Sequence, residues 1–129
     1  MTENKQCNLQ VIIVSGPEDI SRAVLGFAFA SAAAVSEVDV TMVLSLDGLA
    51  WAGEDEPAAK KKVNGFDSIS EYMDILLNSG AAIRLCSTCV KNSCRKSEGN
   101  DAPLKDFPVA GLSELAVQSC NSHGRTVVF

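Results

Sequence analysis

Leu9-Gln10-Val11-Ile12-Ile13-Val14-Ser15, followed by Gly16-Pro17-Glu18-Asp19 and the alanine-rich run Ala23 to Val35, is the stretch on which the fold turns. Its opening is a β-branched apolar run, the pattern of a strand covered on both faces. Gly16-Pro17 bounds that strand. Pro17 suits the start of a helix, and Glu18 and Asp19 suit a first turn, where the helix dipole favours negative charge. The spacing predicts a helix to about Ser36. Strand, tight turn and long helix make one βα unit, the building block of a parallel sheet clad in helices.

Working outward, Val38 to Leu46 is a second strand ending at Asp47-Gly48. Residues 47–66 hold Trp51, Glu54-Asp55-Glu56, Pro57 and Lys60-Lys61-Lys62, and read as a loop at the sheet edge with a short helix at 57–62. Loops this long in compact domains tend to be functional or mobile, whereas charge runs are more often simply solvated. Ser68 to Gly80 has apolar residues at 69, 72, 73, 76 and 77, with Ser68 and Glu71 spaced as a capping box and Gly80 as a C-terminal stop. A third strand over 81–85 leads into Cys86 and a helix to about Lys96; Glu98 to Pro103 is a polar loop. Phe107 to Ala110 forms a brief fourth strand, Leu112 to Cys120 a helix ended by Gly124, and Arg125 to Phe129 a last strand. The expected fold is one α/β domain over 1–129, a three-layer α/β/α sandwich around a mostly parallel five-stranded sheet.

The composition agrees, with 47% hydrophobic and 21% charged residues in a chain of 129. Sixteen acidic against eleven basic residues give a net charge of −5. Without a basic stripe interleaved with aromatics, direct nucleic-acid binding is not expected. The N-terminal segment lacks the order of a signal peptide, so a cytoplasmic location is expected. The run from Ala23 to Val35, about 13 residues, falls short of the roughly 20 that a membrane span requires. That helix is nevertheless apolar nearly all round. Its surplus face either forms a subunit interface or is enclosed by its own domain.

In a parallel sheet, ligands and chemistry collect beyond the carboxyl ends of the strands. Ser15-Gly16, Asp47-Gly48, Cys86 and Ala110-Gly111 all fall there. Three of the five cysteines, Cys86, Cys89 and Cys94, lie together, and in a reducing compartment they read as working thiols or buried fillers. A cysteine delivered by a strand to a helix start has its sulfur near backbone N–H groups that favour a thiolate. Arg84, Lys91 and Arg95 would add to this if they faced it, although Arg84 can equally point to the opposite side of the sheet. Cys86 also reads as a small buried hydrophobe.

Cys86 and Cys89 form a C-x-x-C pair opening a helix, which fits a dithiol–disulfide oxidoreductase. The pair follows the third strand, however, and lacks the usual Gly-Pro character between its cysteines. A zinc site on Cys86, Cys89 and Cys94 lacks an evident fourth ligand, the single histidine, His123, being far along the chain. Glycine-rich phosphate motifs are missing, and no metal or cofactor is expected.

Ile83-Arg84-Leu85-Cys86 before a helix, Phe107-Pro108-Val109-Ala110-Gly111-Leu112-Ser113-Glu114-Leu115-Ala116, and Arg125-Thr126-Val127-Val128-Phe129 together resemble the DsrE/TusD-like (DsrE/DsrF-like) sulfur-relay proteins. The similarity extends to the opening strand with Ser15-Gly16-Pro17 and the long helix after it. The resemblance implies an α/β/α sandwich assembling as homo- or hetero-oligomers, trimers or hexamers. It implies that Cys86 carries sulfane sulfur as a persulfide between donor and acceptor proteins. Cys89 matches nothing required in the TusD-type pattern, though a C-x-x-C here is similar to some small DsrE-like members. Gly124-Arg125 replaces the usual acidic residue and arginine. Cys89 either attacks the persulfide, releasing sulfide and leaving a disulfide, or is a packed residue; the 47–66 loop covers the persulfide or docks a partner. The dithiol oxidoreductase, and a structural or interaction subunit of a sulfur-relay complex, stay open as alternatives.

Overall fold

The computed structural model describes residues 7–92, 104–120 and 124–129. The first unit is β1 (Asn8–Ile13), a 3-10 turn (Pro17–Asp19) and α1 (Ile20–Val35). Next come β2 (Asp39–Leu44), two 3-10 segments (Leu46–Ala52 and Pro57–Lys60) and α2 (Ile69–Asn78). Then follow β3 (Ala82–Cys86), α3 (Ser87–Lys91), β4 (Val109–Ala110), α4 (Leu112–Ser119) and β5 (Gly124–Val128). The sheet has the order β4-β3-β2-β1-β5, and every pairing is parallel. With helices on both faces this is the three-layer α/β/α sandwich expected.

The first three strands each place alternate residues on one face. Val11 and Ile13, Val40, Met42 and Leu44, and Ile83 and Leu85 are buried there beneath Ala23, Val24, Phe27 and Ala30 of α1 and Ile69, Met73 and Leu76 of α2. α2 begins as its sequence predicts: the Ser68 hydroxyl accepts from the Glu71 N–H, and the Glu71 carboxylate accepts from the Ser68 N–H. It stops beside Gly80, at φ +85, a left-handed conformation that glycine adopts without strain. On α1, the apolar surplus is real: Leu25, Phe29 and Val35 remain exposed, with the Phe29 ring 5.6 Å from that of Phe129.

The segment after β2 departs most from expectation. Residues 46–52 form a 3-10 segment rather than an open loop, and Gly48, Leu49, Trp51 and Ala52 are buried. The Trp51 indole N–H donates to the Ser15 carbonyl at 2.8 Å, and the Ser15 hydroxyl donates to the Phe129 carbonyl at 2.8 Å. These bonds tie the segment to the ends of β1 and β5. Gly48 lies so close to the Ile13 carbonyl that a Cβ would overlap it. The expected short helix at 57–62 is a 3-10 turn, Pro57–Lys60, and Glu54, Asp55, Lys60, Lys61 and Lys62 are exposed, as solvated charges should be. No helix among the described residues is long and apolar enough to cross a membrane.

Candidate functional site

Cys86 is both the last residue of β3 and the N-cap of α3, and its register partner in β4 is Ala110. The strand therefore extends one residue further than the sequence suggests, and the sulfur lies at the carboxyl edge of the sheet. Cys86 is 2% exposed and belongs to the main core. Cys89, on α3, is also buried in that core. Two buried thiols thus lie at the carboxyl end of β3 and the start of α3. Cys7 and Cys120 lie elsewhere, half-buried and exposed respectively.

The sulfur that receives donors from another part of the chain is that of Cys89. The Leu46 N–H donates to Cys89 Sγ at 3.1 Å, and the Ser45 hydroxyl lies 3.6 Å from the same sulfur, placed to donate to a thiolate or accept from a thiol. A donor to sulfur favours the charged form. Leu46 holds its amide there at φ +50, a left-handed backbone that side-chain-bearing residues seldom adopt. No hydrogen bond among the described residues reaches the Cys86 sulfur. With α3 only five residues long, the aligned peptide dipoles behind it are few.

The cationic neighbours also resolve differently. Arg84 Nη1 donates to Glu114 Oε2 at 2.7 Å, so the guanidinium serves α4 on the far face of the sheet. Lys91 is exposed in the last turn of α3. Cys94, Arg95 and His123, together with the expected end of the helix near Lys96 and the 98–103 loop, lie outside the described residues. Ser45 and Leu46 were not singled out as site residues. The sequence pattern extends the second strand to Leu46, whereas it ends at Leu44, and nothing local in the sequence announces that the Leu46 amide turns toward a cysteine of another unit.

Over residues 9–129 the sequence matches the family model described as DsrE/DsrF-like. No curated protein matches the chain. Among solved structures, the chain is similar to the ychN protein from E. coli, with a TM-score of 0.68 at 21% identity, covering 95% of this chain and 99% of the other. At that identity the likeness bears on the fold.

Proposed function

The chain belongs to the DsrE/DsrF-like family, and from that premise we propose that it is a sulfur carrier, accepting and passing on sulfane sulfur as a persulfide on Cys86. Family membership suggests a sulfur-relay role. The observation that carries the assignment to one residue is the position of Cys86 at the junction of β3 and α3, on the carboxyl edge of an all-parallel sheet. In the loading step the Cys86 thiolate attacks the outer sulfur of a donor persulfide. A new sulfur–sulfur bond forms at Cys86, the old one breaks, and the donor leaves as its thiolate. Delivery repeats this chemistry, with an acceptor thiolate attacking the outer sulfur and Cys86 leaving.

The apolar burial of Cys86 suits a group that must be kept from stray thiols between the two steps. It also requires the edge to open locally when donor or acceptor engages. We place the protein in the cytoplasm, with donor and acceptor proteins as partners. The exposed Leu25, Phe29 and Val35 on α1 support assembly of several copies.

The test is to treat Cys89→Ser and Cys86→Ser chains with a small-molecule persulfide donor and map the added sulfur by peptide mass. The Cys89→Ser chain is expected to gain one sulfur on the peptide holding residue 86. Equal loading of the Cys86→Ser chain at this site would sink the carrier assignment.

A further inference from the structure

We propose that Cys89 discharges the carrier: it resolves the Cys86 persulfide and releases inorganic sulfide, with Ser45 and the Leu46 amide as the groups that position it. This rests on the reading of Cys86 as the persulfide site and deepens it, from a protein that only relays sulfur to one that also sets it free.

The geometry points to the second cysteine because its sulfur is the one equipped with donors. The Leu46 N–H at 3.1 Å and the Ser45 hydroxyl at 3.6 Å both come from the end of β2, a different βα unit from the one that carries the cysteines. Leu46 is 56% exposed, so its side chain gains little burial from the left-handed turn. What the turn does provide is an amide aimed at sulfur. A residue held off its preferred backbone conformation at a strand end is a common mark of a functional site. The segment that follows cannot easily drift, since Gly48 is pressed on the Ile13 carbonyl and Trp51 is bonded to Ser15.

Cys86 is the N-cap of α3 and Cys89 lies three residues on, so the two cysteines bracket the first turn of one helix. A disulfide needs Cβ atoms about 3.5–4.5 Å apart, and a C-x-x-C pair at a helix start is a spacing at which dithiol–disulfide chemistry operates. In the step itself, the Cys89 thiolate attacks the inner sulfur of Cys86–S–SH. The Cys86–Cys89 bond forms, the sulfur–sulfur bond to the outer atom breaks, and that atom departs with the electron pair as hydrosulfide. The sulfane sulfur is reduced, and the two cysteine sulfurs are oxidised to a disulfide. A dithiol reductant resets the pair by thiol–disulfide exchange, so a reaction that regenerates dithiols must operate alongside.

The experiment follows sulfide and intact mass after a brief exposure of the full chain to a small-molecule persulfide donor, without added reductant. Wild type is expected to release one sulfide per loaded chain and to end as a Cys86–Cys89 disulfide. Cys89→Ser and Cys89→Ala are expected to keep the added sulfur on Cys86. Ser45→Ala should load normally and release sulfide roughly fivefold to tenfold more slowly, the size of one lost hydrogen bond, with Ser45→Thr restoring the rate. If wild type and Cys89→Ser hold sulfur equally long, the discharge step is overturned while the carrier reading stands. If neither takes up sulfur at residue 86, both are overturned. Release at the wild-type rate by Ser45→Ala overturns the positioning role of Ser45.

Discussion

On one face of the sheet, Val11, Ile13, Val40, Met42, Leu44, Ile83 and Leu85 lie buried against α1, α2 and the segment containing Leu49 and Trp51. On the other, the described residues bury Val43, Ala110 and Leu115, with Ile12 packed against them. Among the described residues, polar contacts are prominent on this second face. The Gln10 side-chain amide donates to the Leu115 carbonyl, Ser119 Oγ and Thr126 Oγ1 at 3.1–3.3 Å, and Arg84 is paired with Glu114. Meanwhile Leu112, Val117 and Val128 on that side stay exposed. The contrast teaches where stability and chemistry reside. Both site cysteines belong to the densely packed side, which gives the carboxyl edge a rigid floor, while among the described residues α4 is held by few buried apolar contacts.

The comparison can be broken by substitution on each face. Phe27→Ala removes a fully buried ring from the dense side and should cost about 3–5 kcal/mol by denaturant unfolding. Leu115→Ala removes the principal apolar contact of α4 and should cost about 2 kcal/mol, the lower end for such deletions, because the site can collapse toward solvent. Equal costs at the two positions would contradict an uneven core. Ser68→Ala, which uncaps the helix on the dense side, should cost about 1 kcal/mol.

Arg84→Ala sharpens the contrast on the thin side. Its ion pair is well exposed on the Glu114 side, so the loss should stay within about 1 kcal/mol and shrink with added salt. The smallest effect is a pH dependence. The hydrogen bonds from the Ser68 backbone and side chain hold the Glu71 carboxyl below its ordinary value. A depressed folded pKa means that this contribution is present above the unfolded pKa and is lost as pH falls through the folded one. Unfolding curves of wild type and Glu71→Gln should therefore converge on acidification, and a gap that widens instead would contradict the assignment.

Much of this was legible because its causes are local. The continuous apolar run of β1, the Ser68–Glu71 box and the Gly80 stop each act within a few residues, and each lies within a residue or two of its expected place. In the sequence alone, residues 47–52 read as part of an open loop, because their burial depends on the distant Ser15 carbonyl, just beyond β1, receiving the Trp51 indole. The short fourth strand was overextended, Val109–Ala110 in place of 107–110, since pairing with only one neighbour limits it.

The same division runs through the site. By itself the sequence determined the parallel sheet and put Cys86 at its carboxyl edge, because strand ends and helix starts are written in adjacent residues. Only the tertiary structure decided that Arg84 reaches Glu114 thirty residues on, and that Cys89 is met by the Ser45 hydroxyl and the Leu46 amide from a chain segment more than forty residues upstream. Such contacts depend on which strands become neighbours and which segment folds across their ends, and no local periodicity encodes either.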